Sequence, residues 1–299
     1  GPDVAPRRRS AILPYEELPR LVRVGRRLGV RKVRITGGEP LLRNDLVRLV
    51  EMLRGLGDLD LALTTNGALL PRFAEDLAGA GLDRVTVSLD SLDDAVFRRM
   101  NDADVSVDEV LRGVDAARAA GLDPVKINVV VLRGVNDTGL VDLVRHFEGS
   151  GCEVRFIEYM DVGATNGWRM DQVVTGEEIL GRLRRALDLE PVAPAYAGEV
   201  ARRWRSRSSG DGVGVITSVS RPFCGDCTRA RLSAEGKLFT CLFASDGVDL
   251  RPVLRGSGDD AAVYDLLRRT WTARDDRYSE IRSAATDTPE RIEMSYIGG

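Results

Sequence analysis

The sequence predicts an α/β fold built of repeated strand–helix units. Short apolar runs alternate with amphipathic stretches through the first two-thirds of the chain. Several amphipathic stretches stop beside a glycine, where a left-handed helix cap belongs. The apolar runs carry polar side chains at every second position, mostly toward their C-terminal ends. Repeated units of this kind imply parallel strands with helical crossovers, so an open doubly wound sheet and a (β/α) barrel both fit.

Taken in order, a helix over Tyr15–Leu28 leads into a strand at Val30–Thr36. A helix over Asn44–Leu56 precedes the strand Leu59–Thr65, and a helix over Pro71–Ala80 precedes Arg84–Leu89. Helices at Asp93–Asn101 and Val107–Ala120 come before the strand Lys126–Leu132. Thr138–Gly149 and Gly176–Leu187 are helices on either side of the strand Val154–Tyr159. Gly29, Gly57, Gly81, Gly121 and Gly151 are the expected caps. Beyond residue 190 the character changes. Pro191–Ala197 reads as a connection, Arg202–Arg207 as a solvated strand or hairpin, and Gly210–Ser220 is rich in glycine and β-branched residues. A further helix runs from about Ala261 to Arg274. The expected division is therefore 1–190 and 191–299.

With 299 residues the chain is long enough for one large domain or a domain with an appendage. A net charge of −3 indicates no global attraction to nucleic acid or to an anionic membrane. No apolar run reaches the roughly 18 residues that span a bilayer. Four cysteines without a pairing framework fit a reducing cytoplasm. The chain opens Gly1-Pro2-Asp3 without a methionine, as if entered partway.

Parallel strands buried on both faces should be nearly all apolar. Here successive strands carry Arg34 and Thr36, Thr64 and Asn66, Ser88 and Asp90, Lys126 and Asn128, and Glu158 and Met160. Solvation of strand ends explains some of these positions but not Arg34 and Lys126, which have strand residues beside them. Polar groups gathered at the C-terminal mouth of parallel strands describe a ligand-binding face. The loop Thr36-Gly37-Gly38-Glu39-Pro40 follows a strand, so its glycines let backbone approach a ligand. Glu39 is a candidate acceptor for an ammonium group or ribose hydroxyls. Cys224 and Cys227 have two residues between them, and Cys241 follows after thirteen more. Three thiolates of this spacing hold zinc or an iron–sulfur cluster with one position open. The remaining cysteine, Cys152, reads as a small buried core residue.

Gly37-Gly38-Glu39-Pro40 after a strand resembles the motif with which radical S-adenosylmethionine enzymes hold the methionine end of their cofactor. The segment Cys224 to Cys241 containing Thr228-Arg229-Ala230-Arg231, the stretch Arg155 to Gly163 and the terminal Tyr296-Ile297-Gly298-Gly299 narrow the resemblance. Together they resemble the GTP 3′,8-cyclase family of molybdenum cofactor biosynthesis, from about Leu18 to Gly299. The resemblance implies a partial (β/α)6 barrel closed by a C-terminal segment. It implies a [4Fe–4S] cluster on Cys224, Cys227 and Cys241, whose open iron binds the guanine, and a second [4Fe–4S] cluster that cleaves S-adenosylmethionine to a radical. Gly38, Ser88 and Met160 would line the S-adenosylmethionine site. Arg34, Thr64, Lys126, Arg229, Ala230 and Arg231 would line the GTP site, and Gly298 and Gly299 would assist the reaction from the chain end. Asn66, Asp90, Arg155 and Glu158 would stand behind these contacts. An external electron donor is implied, and a homodimer is compatible.

One departure is plain. The second cluster's Cys-x3-Cys-x2-Cys motif, on the family's first barrel strand, is not among these four cysteines. That motif is expected upstream of Gly1; a chain truly beginning there would make no radical. The alternatives are a non-catalytic module that binds GTP and a metal, or another radical enzyme with an auxiliary cluster, acting on a peptide.

Overall fold

The computed structural model describes residues 12–101, 104–163, 167–196, 198–256, 258–282 and 292–298. Its centre is one eight-stranded sheet. Five strands follow in spatial sequence: β1 (Lys32–Ile35), β2 (Asp60–Thr65), β3 (Arg84–Ser88), β4 (Val125–Val131) and β5 (Glu153–Glu158). All neighbours among them are parallel, and β8 (Gly212–Ile216) adds a sixth parallel strand beside β5. The sheet then turns antiparallel through β7 (Arg202–Ser206) and ends on β6 (Leu189–Val192). β1 and β6 are edges among the described residues, so the sheet is open rather than closed. Lys32 on β1 nevertheless lies 5.2 Å from the centre of the Tyr196 ring, just beyond β6.

The crossovers are α1 (Glu17–Arg27), α2 (Leu46–Arg54), α3 (Leu70–Gly79), α4 (Asp94–Met100), α5 (Val107–Ala119), α6 (Leu140–His146) and α7 (Gly176–Arg184). Every helix expected through residue 187 is present, shifted by a few residues. Two begin on reciprocal caps that satisfy otherwise orphaned backbone groups: Ser106 with Glu109 on α5, and Thr175 with Glu178 on α7. The five expected cap glycines all take positive φ. The apolar sides of helices and strands merge into one core containing Leu61, Val85, Ile127 and Phe156, each fully buried, and Cys152, 1% exposed.

Pro191–Ala197 is a connection only in part, because Pro191 pairs with Trp204 on the outermost strand. A proline fits there, where a missing N–H costs no ladder bond. Residues 202–216 add strands to the sheet begun by the N-terminal region. Beyond them lies a small antiparallel sheet of β9 (Arg231–Leu232), β10 (Lys237–Phe239) and β11 (Val248–Asp249). Then come α8 (Arg251–Arg255), α9 (Asp260–Thr272), α10 (Tyr278–Ile281) and α11 (Met294–Ile297). Leu250, Leu254 and Val263 pack with Leu21 and Val24 of α1 in a second core, fastening this region to the first crossover. No helix among the described residues is long and apolar enough to cross a membrane.

Candidate active site

One face of β1–β5 is polar because alternate residues of five neighbouring strands point the same way. Arg34 on β1 donates to the Thr64 hydroxyl at 2.7 Å and the Thr86 hydroxyl at 3.0 Å. Thr86 is paired in register with Lys126, and Lys126 with Glu153. The Lys126 ammonium lies 3.9 Å from the Glu153 carboxylate, which also accepts from Arg155. Closer to the strand starts, Asp60 pairs with Arg84 and, at 3.5 Å, with Lys32. Arg34, Thr64 and Lys126, expected together, do lie together.

Cations outnumber anions on this face, and the ionisation of the cations records it. Burial, with Arg155 and Arg84 nearby, pushes Lys126 down to about 8 despite Glu153. Burial and the same two arginines bring Arg34 down to about 10. Desolvation and like charge both disfavour the charged form, and an incoming anion offsets both by its opposite charge. Asn128 was named with Lys126, whereas Lys32, Arg84 and Glu153 belong to the same face but were not expected to join the site. The every-second-residue pattern does contain them; their position near strand starts or beside a stronger signal hid them. The Asn128 carboxamide oxygen is buried without a hydrogen-bond partner, and Asn128 stands between Ser88 and Arg155 in register. Buried polar atoms are seldom left so.

At the C-terminal strand ends, the glycine loop opens away from the protein. A side chain added at Gly37 or Gly38 would meet no atom within 4 Å. Glu39 is not turned to a ligand: its carboxylate accepts from the Thr65 hydroxyl at 2.8 Å, the Leu41 amide at 3.0 Å and the Asn66 amide at 2.7 Å. It fixes the loop to the end of β2. Ser88 closes β3, and Met160 follows β5. Asp90 accepts from the Val130 amide at 2.7 Å, and burial raises it to about 6. Glu158, fully buried, accepts from the amides of Gly176, Val219 and Ser220, at 2.6, 2.7 and 2.7 Å. Both carboxylates tie strand ends to neighbouring loops.

The C-terminal region brings its own charge. Arg231 donates to the Gly298 carbonyl at 3.1 Å. Gly298 has φ of 76°, and an added Cβ would stand 2.5 Å from Thr36 at the end of β1. Arg231 and Gly298 thus sit at the same mouth as the glycine loop. Gly299 lies outside the described residues. Burial brings Arg231 down to about 10, with Arg229 acting alongside it and Cys227 and Cys241 opposing both. Arg229 and Ala230 are exposed.

Cys227 and Cys241 both act on Arg231, and Cys224 acts in turn on Cys241. Burial pushes Cys227 up, but Arg229, whose Nε donates to the sulfur at 3.4 Å, helps hold the thiol below its ordinary value. Burial raises Cys241. Among the described residues no three His, Cys, Asp or Glu stand at metal-holding spacing. The donor set itself, three thiols and no histidine, suits a cubane cluster with one iron left open. Cys152 is buried far from any such use, in the core.

Residues 3–147 match the family model of the radical SAM superfamily, and residues 152–280 that of molybdenum cofactor synthesis C. A GTP 3′,8-cyclase of Acidothermus cellulolyticus is 49% identical, over 100% of this chain and 90% of the relative. One from Xanthomonas campestris pv. campestris is 49% identical over 96% of this chain and 84% of the relative, and one from Staphylococcus epidermidis 44% identical over 97% and 87%. Among solved structures, Streptococcus suis SuiB bound to S-adenosylmethionine superposes with a TM-score of 0.61 at 18% identity. That match covers 95% of this chain and 64% of SuiB, and it speaks for the fold alone. The family-model match, over a mostly parallel sheet with a Gly-Gly-Glu-Pro loop at its mouth, puts the chain in the radical S-adenosylmethionine class. Within that class, the chain belongs to the GTP 3′,8-cyclase family.

Proposed function

We propose that this protein converts GTP to (8S)-3′,8-cyclo-7,8-dihydroguanosine 5′-triphosphate, the first step of molybdenum cofactor biosynthesis. The observation that carries the reading is the half-buried cationic face of Arg34, Lys126 and Arg155. It opens toward a mouth that also holds Arg231, Gly298 and the glycine loop. A triphosphate brings about four negative charges, which charge-assisted contacts from arginine and lysine answer. Thr64 and Thr86 hold the Arg34 fork in place before any ligand arrives. Arg229 and Arg231 contribute further donors, with the Ala230 backbone exposed between them.

Gly38, Ser88 and Met160 form the S-adenosylmethionine side, where the open loop and the orphaned Asn128 oxygen leave room and hydrogen-bonding capacity. Cys224, Cys227 and Cys241 would hold one [4Fe–4S] cluster, with a second held by cysteines outside these 299 residues. When bound, these groups supply the one-electron chemistry, fed by an external donor, that makes a radical from S-adenosylmethionine and orients guanine. The chain's own part is to fix the ribose between two ligand sites and to exclude water from the phosphate side. Arg231 holds the terminal segment through the Gly298 carbonyl, and Thr36 limits how far that segment enters. The sheet is read as a partial (β/α)6 barrel whose open side the C-terminal region covers.

Anaerobically reconstituted protein carrying the upstream cysteines, given reductant, S-adenosylmethionine and GTP, should release 5′-deoxyadenosine and the cyclised nucleotide together. Mass spectrometry of the nucleotide pool decides it. Deoxyadenosine formation that ignores GTP, with no cyclised product, would overturn the assignment.

A further inference from the structure

Arg282 lies after α10, and its side chain is 3% exposed. Its guanidinium lies 2.5 Å from the Asp161 carboxylate, whose side chain is 6% exposed, as a charge contact in which none of the guanidinium nitrogens makes a hydrogen bond among the described residues. Asp161 directly follows Met160 on the loop leaving β5. It also accepts from the Tyr278 hydroxyl at 2.6 Å. The guanidinium faces three rings, with centres 5.1 Å away at Phe243, 5.4 Å at Tyr278 and 5.7 Å at Trp168. Phe243 stacks on Tyr278 at 4.6 Å, and its amide donates to the Cys241 sulfur at 3.4 Å. Trp168 donates to the Tyr159 carbonyl at 2.8 Å, on the Met160 side. One cation therefore touches both the loop that carries Met160 and the loop that carries Cys241.

We propose that Arg282 is a positioning residue that locks these two loops in one register, fixing the S-adenosylmethionine side against the C-terminal cysteine side. The inference rests on the proposed placement of S-adenosylmethionine beside Met160. A buried ion pair is a costly way to gain stability, because desolvation offsets most of its attraction. Its value lies in packing: a flat cation held among three aromatic rings and against one carboxylate tolerates few orientations. Lysine keeps the charge but loses the flat stacking surface. Methionine keeps the apolar stem and removes the cation.

The test uses holoenzyme and three variants, Arg282→Lys, Arg282→Met and Asp161→Asn. Hydrogen exchange is followed in segments 158–163 and 241–245, with and without S-adenosylmethionine. In the parent, the cofactor should slow exchange in both segments. In Arg282→Lys it should slow only the first. The ratio of 5′-deoxyadenosine released to GTP consumed should rise at least threefold in each variant that folds, whereas a merely structural defect lowers both in proportion. Asp161→Asn keeps the shape of its site and serves if the arginine variants fail to fold. A parent that binds the cofactor yet shows no change at 241–245 would overturn the coupling and leave the site reading standing. A parent that binds no S-adenosylmethionine overturns both. Variants that keep both responses and the parental ratio also overturn it.

Discussion

Raising the pH from 7 to 9 should weaken GTP binding through one group, Lys126. Its ammonium is held at about 8 by burial and by Arg155, against an ordinary value of 10.5. It is then roughly 90% charged at pH 7 and roughly 10% at pH 9. If the nucleotide needs the charged form, affinity falls about tenfold across that interval, or about 1.4 kcal/mol. A bound triphosphate restores the proton, so binding at pH 9 should take up about 0.9 proton per GTP. The direction separates this from unfolding. A lysine with a depressed folded value binds fewer protons folded than unfolded between about 8 and 10.5, so its contribution to stability rises with pH in that window. Affinity and stability move oppositely. Titration calorimetry in buffers of different ionisation enthalpy reads both affinity and proton uptake. Lys126→Met is the control, since it shares the nucleotide's own titration. Parallel loss of affinity in parent and Lys126→Met, or uptake below about 0.3 proton at pH 9, would refute the reasoning.

Arg231→Ala should weaken GTP binding by about 1.5–3 kcal/mol, the scale of a charge-assisted contact, whereas exposed Arg99→Ala should change it little; calorimetry compares them. Protein of these 299 residues, reconstituted anaerobically, should take up about four irons, and Cys241→Ser should lose them, as read by iron assay and visible absorbance. Gly113→Ala should cost about 3 kcal/mol in denaturant unfolding, because its new Cβ would lie 2.1 Å from the Gly67 carbonyl oxygen where α5 crosses the turn after β2. Gly298→Ala should cut cyclised product at least tenfold with little change in melting temperature: the residue follows a helix of only four residues, with positive φ and 2.5 Å of Cβ clearance to Thr36.

The parallel core and its crossovers were legible because burying one strand face under helices leaves a strong mark, apolar residues at every second strand position spaced by helices that stop at glycines. The last third was less so. β9 and β11 have two residues each, too few for any periodicity. Pro191 argued against a strand and was overruled by its place at the sheet edge. At the site, Arg34 and Lys126 were visible as strand-borne cations that solvation could not explain. Glu39 was visible as an acceptor, but its partners at the end of β2 were not, since folding rather than sequence brings them to it. Arg282 carried no signal at all: one arginine among many in an arginine-rich tail, given meaning only by three rings and a carboxylate distant in sequence.

The balance of charge on the sheet face connects stability to function. Asp60 is shared between Lys32 and Arg84, and Glu153 between Lys126 and Arg155. Two carboxylates thus serve four cations, and Arg34 donates to threonine hydroxyls, which carry no charge. Such a face is tolerated by the empty fold only because each cation keeps at least a partial or neutral partner. A ligand with several negative charges completes the balance, and whatever binds the folded form selectively stabilises it by mass action. On the proposed function, the deficit of anions is what a bound triphosphate would make up. More carboxylates on β1–β5 would settle the free protein and compete with the phosphates for the same donors. Fewer would drive Lys126 further toward its neutral form and surrender the charge that the nucleotide requires.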